Sequence, residues 1–211
     1  MVRLQLFFSR RRCVLAAAVL GTLQAVVLTG WCSFGRVCTG IRKQTLRLHV
    51  LANSDSQQDQ ALKLLVRDAL SEECAALFAG ITDMQQAETA ARQALPQLRE
   101  TAQHTVAAAG FDCPVEVSLE TVWFDTRTYG EYTLPAGRYR ALQVKLGEAQ
   151  GKNWWCCLFP PLCVAAASGQ STAEAAESIW GAAGVRVAAG GGYEVRFALL
   201  EWLEKLRDVE N

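Results

Sequence analysis

The chain has 211 residues, of which 51% are hydrophobic and 20% are charged, a composition that excludes an intrinsically disordered protein. The region after residue 37 holds 16 basic and 21 acidic residues, a net charge of about −5, which argues against nucleic acid as a partner. This region of about 174 residues is long enough for one domain with its own core.

The first predicted element is a membrane segment. Arg3 and the run Arg10–Arg12 precede an uncharged apolar stretch over residues 13–31, which is long enough to span a bilayer. Basic residues before such a stretch orient it with the N-terminus in the cytoplasm. We therefore predict that residues 1–37 form a signal peptide or membrane anchor with a short linker, and that residues 38–211 form a single extracytoplasmic domain. Cleavage and retention of the segment are both open.

A strand and two helices are predicted next. Residues 45–51 alternate in the pattern of a strand, and Ser56 with Asp59 resembles a capping box. The first helix reaches Gly80, and Pro96 kinks the second helix or starts it afresh. The apolar stripe predicted to bury the first helix comprises Leu62, Leu65, Val66, Ala69, Leu70 and Cys74.

Three further strands are predicted, over residues 115–124, 138–147 and 153–158. The two glycines of the segment GEAQG favour a hairpin between the last two strands, and the Phe159-Pro160-Pro161 run ends the second of them. The segment from residue 125 to residue 137 is rich in turn-forming residues and reads as a connection without strands.

The C-terminal part of the chain is predicted to be helical. A short helix is expected over residues 172–180, a poorly specified stretch over residues 182–192, and an amphipathic helix over residues 195–207. The complete set of elements predicts an α/β or α+β fold: a small mixed sheet of about four strands covered by helices, preceded by an N-terminal apolar signal or anchor helix.

Residue types that carry chemistry are sparse. His49, on the first strand, is the sole candidate base, and a secreted hydrolase or thiol enzyme would have to pair His49 with a cysteine or serine. The sequence contains no HExxH, GxSxG or CxxC motif, and we predict no catalytic, cofactor-binding or metal-binding residues. The lack of a catalytic set favours a role in binding.

The segment Gly151–Cys163, with sequence GKNWWCCLFPPLC, is the most unusual part of the chain because it concentrates two tryptophans, three cysteines and a Pro-Pro pair. Cys156 and Cys163 bracket the Pro-Pro turn, so a local disulfide between them is sterically plausible in an oxidising compartment. Two small buried apolar residues are the alternative explanation.

Three long motifs give a resemblance to a known family. The segments LRLHVLANSDSQQDQALKLLVRDAL (residues 46–70), TRTYGEYTLPAGRYRALQVKLG (residues 126–147) and GKNWWCCLFPPLC resemble the stage II sporulation protein R family of endospore-forming bacteria. The resemblance implies a sporulation signalling protein without enzymatic activity, made in the forespore and exported into the space between the forespore and mother-cell membranes. There it would activate a membrane-embedded aspartic protease, which processes the precursor of the early mother-cell sigma factor.

The resemblance also bears on individual residues. The family pattern has cysteines at the positions of Cys156 and Cys163, which supports their pairing over one that involves Cys157. We expect the partner protease to contact polar and aromatic groups of the shared motifs. These candidate partner-binding residues are Asn53, Ser54, Asp55, Arg67, Tyr129, Asn153, Trp154, Trp155 and Pro160.

A structural role is open for each of these residues, since the tryptophans can belong to the core and the Asn-Ser-Asp run can cap a helix. A membrane-tethered envelope protein without a signalling role is a further alternative.

Overall fold

The computed structural model describes residues 2–162 and 172–190. Contacts between Cα atoms divide the chain into two compact units, Met1–Val37 and Cys38–Asn211. Helix α1 runs from Val2 to Lys43, and its stretch after Arg12 is long and apolar enough to cross a membrane. The basic residues Arg42 and Lys43 lie in the last turn of this helix.

The second unit contains strands and helices in the predicted order. Strand β1 (Leu46–Leu51) is followed by α2 (Gln57–Leu77) and α3 (Met84–Ala108), and then by β2 (Val115–Phe124). The strands β3 (Arg127–Tyr129), β4 (Tyr132–Leu134), β5 (Gly137–Leu146) and β6 (Asn153–Phe159) come next, and α4 (Thr172–Ala189) is the last described element.

The main sheet has four strands in the order β2-β5-β1-β6. Strand β1 pairs in parallel with β5 and antiparallel with β6, and β2 pairs antiparallel with β5, which confirms the predicted mixed sheet covered by helices. The predicted hairpin between β5 and β6 is wrong, because β1 lies between them. A glycine-rich turn of hairpin length therefore joins two strands that are not neighbours in the sheet.

Helix α2 begins as predicted, since the Ser56 side chain accepts a hydrogen bond from the backbone N–H of Asp59 at 3.1 Å. Its buried side chains are Leu62, Lys63, Val66, Leu70 and Cys74. The placement of Leu65 in the buried stripe is wrong, because that side chain is 51% exposed.

Three other predicted boundaries change. Helix α3 continues through Pro96, and its side chains Ala87, Ala91, Leu98, Ala102 and Val106 are buried. The last described element is two helical segments joined at Gly181, whose backbone is non-helical: the first ends at the predicted residue 180, and the second continues to Ala189 through a stretch that we predicted as poorly specified. The connection after β2 contains a second, two-stranded sheet of β3 and β4, which we name the β3–β4 hairpin. The amphipathic helix predicted over residues 195–207 lies outside the described residues.

Both faces of the main sheet carry buried groups. One face presents Leu48, Val50, Leu142 and Val144, all fully buried, as the alternation predicts. On the opposite face of β5, Tyr139 and Ala141 are also buried and form a small cluster with Phe124. Strand β5 therefore carries buried side chains on both of its faces.

Candidate functional site

The residues Asn53, Ser54 and Asp55 lie in the loop between β1 and α2 and hold the turn between β5 and β6. The Asn53 Oδ1 accepts a hydrogen bond from the backbone N–H of Glu148 at 3.0 Å, and the Asp55 Oδ1 accepts one from the backbone N–H of Lys152 at 2.7 Å. The polar side chains of this loop therefore satisfy backbone groups of the adjacent turn.

The same loop is linked to the first turn of α2. The Asn53 amide and the Ser54 hydroxyl donate to the Asp59 carboxylate at 3.0 and 2.5 Å. These two hydrogen bonds, that of Ser54 first, lower the pKa of the Asp59 carboxyl. The loop, the helix start and the turn form one hydrogen-bonded unit, which gives Asn53, Ser54 and Asp55 a structural role whether or not they also contact a partner.

Lys63 joins this unit from α2. Its side chain is buried, and its Nζ donates to the Gln60 Oε1 at 2.6 Å and to the backbone carbonyl of Lys152 at 2.9 Å. Burial lowers the pKa of Lys63, while the charge of Asp55 opposes that change. Close packing also matters here, because a Cβ at Gly151 would overlap the backbone carbonyl of Ser54.

Trp154 and Arg67 form a second group, on the helix-covered side of the sheet. The Arg67 guanidinium lies over the Trp154 ring at 4.4 Å from its centroid, and Arg67 also bonds to the Asp68 carboxylate at 2.6 Å. Trp154 is half-buried, and its buried indole Nε1 has no hydrogen-bond partner in the part of the chain that the structure describes. Leu64, one helical turn before Arg67, is 36% exposed. We name Leu64, Arg67 and Trp154 the α2–β6 surface.

Trp155 belongs to the opposite face of the sheet. Its indole stacks on the His49 ring with centroids 4.1 Å apart and planes 9° from parallel. Phe124 meets both rings edge-on, at 6.1 Å from the His49 ring and 4.6 Å from the Trp155 ring. The two adjacent tryptophans therefore lie in different environments, because neighbouring residues of a strand point to opposite faces of the sheet.

Arg47 was missed by the sequence reasoning, although it precedes His49 by two residues and so lies on the same face of β1. Its side chain is fully buried, with the guanidinium carbon 4.0 Å from the Phe124 ring centroid, 4.8 Å from that of Tyr139 and 5.2 Å from that of Tyr129. The Arg47 Nη2 donates to the Tyr129 hydroxyl, which in turn donates to the backbone carbonyl of Trp155 at 3.3 Å.

The signal that could have found Arg47 is an arginine in a strand whose other residues, apart from His49, are all apolar. Of the predicted contact residues, the fold brings together Tyr129 and Trp155 around this cation. Arg67 and Trp154 meet elsewhere, and Asn53, Ser54 and Asp55 form the separate hydrogen-bonded loop. Asn153 is exposed at the start of β6, and Pro160 is buried just after its end.

His49 is placed among aromatic and amide groups. Its Nδ1 is 3.1 Å from the Gln143 Nε2, and burial lowers its pKa to about 4, an effect that a hydrogen bond with the Asn153 side chain partly offsets. Within residues 2–162 and 172–190, no hydrogen bond joins His49 to a cysteine or serine side chain. The structure thus provides no support for the nucleophile and base pair that a hydrolase or thiol enzyme would need.

The cysteines of β6 differ in their surroundings. Cys156 is disulfide-bonded and buried, but Cys163 lies outside the described residues, so the pairing of these two remains a prediction. Cys157 is a fully buried thiol whose Sγ lies 3.2 Å from the Pro160 carbonyl oxygen, and burial raises its pKa to about 12. Among the described residues, no group of three or more His, Cys, Asp or Glu side chains could hold a metal ion.

Comparisons with known proteins give a consistent assignment. Residues 42–169 match the family model of stage II sporulation protein R. The chain is 42% identical over 123 residues to the stage II sporulation protein R of Bacillus subtilis strain 168, an alignment that covers 58% of this chain and 55% of that protein. The chain therefore spans about half the length of this relative, and no solved structure matches it. Because the family match covers more than half of its length, this chain belongs to the stage II sporulation protein R family.

Proposed function

We propose that this chain is an exported sporulation signal that activates a membrane-embedded aspartic protease in the space between the forespore and mother-cell membranes. Activation would trigger processing of the precursor of the early mother-cell sigma factor. The observation that carries the proposal is the match to the sporulation protein over residues 42–169, in a chain whose N-terminal helix has the length and hydropathy of a membrane anchor or signal sequence.

The N-terminal helix supports the proposed location. Val14, Leu15, Val19 and Leu20 of α1 are each more than half exposed to the surroundings, as expected for side chains that face lipid. The basic residues that precede this stretch favour a cytoplasmic N-terminus. The second unit would then lie outside the cytoplasm, where a protein partner in the membrane can reach it.

The α2–β6 surface is the best candidate for docking. Trp154 and Arg67 are residue types enriched at the energetic centres of protein interfaces, and here they already stack on each other. The adjacent Leu64 adds exposed apolar area. A partner that covers these side chains would gain apolar burial without first ordering Arg67, because Trp154 and Asp68 already hold its guanidinium.

Activation by docking has a thermodynamic requirement. A ligand shifts a conformational equilibrium only by the difference between its affinities for the two states. The α2–β6 surface must therefore complement the active arrangement of the protease better than the resting one. A surface made of rigid β6 and α2 side chains suits this role, because it resists adapting to both states.

The test is cleavage of the sigma-factor precursor in liposomes that contain the protease, with and without the full chain. We expect the wild-type chain to stimulate cleavage. We expect Trp154→Ala to raise the concentration needed for half-maximal stimulation by about tenfold or more, because truncation of a central aromatic group removes interface energy of that size. Cleavage that is unchanged by the wild-type chain would contradict the proposal.

Trp123→Ala is the matched control. Trp123 is also a half-buried tryptophan, but it lies on β2, at the opposite edge of the sheet from β6. We expect this variant to stimulate cleavage like the wild type, and the unfolding transition of each variant is followed by circular dichroism. If Trp154→Ala and Trp123→Ala lose the stimulation of cleavage to the same extent, the α2–β6 surface is not the docking site.

A further inference from the structure

Arg47 is a buried cation that lacks a carboxylate partner in the described part of the chain. Its side chain has no exposed surface, and within residues 2–162 and 172–190 no Asp or Glu carboxylate forms an ion pair with it. Its Nη2 bonds to the Tyr129 hydroxyl, whereas its Nε and Nη1 have no hydrogen-bond partner among these same residues. Buried charges in proteins are normally paired, so these two donors require an explanation.

The neighbours of Arg47 cannot supply the missing charge. The groups near it that could become anions are the phenols of Tyr129 and Tyr139 and the thiol of Cys157. Burial raises the pKa of each of the three, that of Cys157 to about 12, although the Arg47 charge opposes the rise. All three therefore stay neutral at neutral pH, and among the described residues the cation is stabilised by ring faces and one neutral hydroxyl.

The free donors define what Arg47 can bind. A guanidinium holds a carboxylate through two parallel N–H bonds, which come from Nε and Nη2 on its side or from Nη1 and Nη2 at its end. Each pair uses one of the two N–H groups of Nη2, and the Tyr129 hydroxyl accepts a hydrogen bond from one of these two groups. Moving this hydroxyl would free both forks of the guanidinium, and a carboxylate matches a fork in both its planar shape and its single negative charge.

The β3–β4 hairpin, which carries Tyr129 over Arg47, is a small sheet. Tyr129 belongs to the β3–β4 hairpin, whose strands have three residues each and pair only with each other. A two-stranded sheet of this size has little stability of its own. The hairpin is anchored by Tyr132, which packs edge-on against Trp180 with centroids 6.0 Å apart, whereas Arg127, Thr128 and Gly130 are exposed. Displacing Tyr129 would break its hydrogen bonds with Arg47 and with the Trp155 carbonyl, while β4 is anchored by the buried side chains of Tyr132 and Leu134.

We propose that Arg47 is the receptor for a carboxylate of the protein partner, and that the Tyr129 hydroxyl occupies its place until the β3–β4 hairpin moves aside. The aspartate or glutamate side chain would enter between the rings of Phe124, Tyr129 and Tyr139 and accept two hydrogen bonds from the guanidinium. Docking would then neutralise a buried charge that has no carboxylate partner within residues 2–162 and 172–190. The identity of the partner rests on the proposed function, but the carboxylate site does not.

The site is tested on the full chain in detergent micelles, with arginine labelled with nitrogen-15 and the Arg47 Nε–H resonance followed by NMR. Two probes are titrated: acetate, and an acetylated and amidated pentapeptide with one aspartate. The same pentapeptide with asparagine is the uncharged comparison. We expect the Arg47 resonance to shift with the carboxylate probes and not with the asparagine peptide.

Tyr129→Phe should bind the carboxylate probes about tenfold more tightly than the wild type, because no hydroxyl then competes with the probe for Nη2. The loss of one hydrogen bond to a charged group corresponds to a factor of about ten or more in affinity. Tyr132→Phe is the matched control, because it removes a hydroxyl from the same hairpin, and we expect wild-type affinity. Arg47→Lys should remove the resonance that responds to the probes, which assigns this resonance to Arg47, while Arg127→Lys, at an exposed position of the hairpin, should keep both the resonance and its response.

A stronger response to the aspartate peptide than to acetate would support a protein side chain as the ligand. Equal responses would support the site but overturn its assignment to a protein partner. If Tyr129→Phe binds the carboxylate probes more tightly and Tyr132→Phe binds them like the wild type, the Tyr129 hydroxyl competes with the probes for Arg47. This conclusion holds even if Arg47→Lys does not fold. An Arg47 resonance that responds to neither probe, in the wild type and in Tyr129→Phe, would overturn the carboxylate site while leaving the cleavage assay unaffected.

Discussion

The imidazole of His49 lies flat on the indole of Trp155, 4.1 Å away and 9° from parallel, in a part of the sheet where the His49 side chain is 4% exposed. Burial lowers its pKa from 6.5 to about 4. The imidazole is therefore neutral at physiological pH and contributes to the fold as an aromatic group with one hydrogen bond to Gln143.

This arrangement predicts that stability falls in mild acid. Between pH 6.5 and 4 the unfolded chain binds a proton at His49 that the folded chain does not bind, so the free energy of unfolding decreases as the pH falls through this range. The expected loss from this group is about 2 kcal/mol between pH 7 and pH 5. The measurement is urea unfolding, followed by tryptophan fluorescence, at several pH values.

Two variants isolate the effect. His49→Phe keeps a ring on Trp155 but cannot titrate, and we expect its stability to change by about 2 kcal/mol less than that of the wild type between these pH values. His104→Gln changes an exposed histidine and should follow the wild type. If the free energy of unfolding depends on pH in the same way in the wild type and in His49→Phe, His49 is not the cause of the loss of stability in mild acid.

The second prediction concerns the loop formed by the Asn-Ser-Asp run. Gly151→Ala should lower the free energy of unfolding by about 1–3 kcal/mol, because the added Cβ would overlap the Ser54 carbonyl and force the β5–β6 turn away from the loop. The measurement is again urea unfolding. Gly40→Ala is the control: its Cβ meets nothing within 4 Å in a helix, and we expect stabilisation by about 0.5–1 kcal/mol. Equal stabilities of Gly151→Ala and the wild type would show that the turn moves freely.

The third prediction is a disulfide between Cys156 and Cys163. Mass spectrometry of unreduced proteolytic fragments should find these two cysteines linked and Cys157 reduced. Cys163→Ser should lower the free energy of unfolding by about 2–3 kcal/mol, the value for closure of a short loop. Reductant should bring the wild type to the stability of Cys163→Ser and leave that variant unchanged. A fragment that links Cys157 to Cys163 would refute this pairing.

Local patterns were sufficient for several parts of the fold. The alternation in residues 115–124 predicted β2, and the Ser56 cap predicted the first turn of α2, because both features depend on residues a few positions apart. The same reasoning placed Leu65 in the core and failed. A stripe on a helix shows which side is apolar, but the packing of its neighbours decides how much of that side is covered.

The sequence by itself determined the apolar N-terminal helix, the class of the fold and membership of a sporulation family, since each depends on composition, short-range spacing or a long shared motif. Only the tertiary structure placed β1 between β5 and β6. It also brought Phe124, Tyr129 and Tyr139 around the Arg47 guanidinium. Strand order and the burial of a charge depend on contacts between residues far apart in the chain, and no local periodicity encodes which of them will meet.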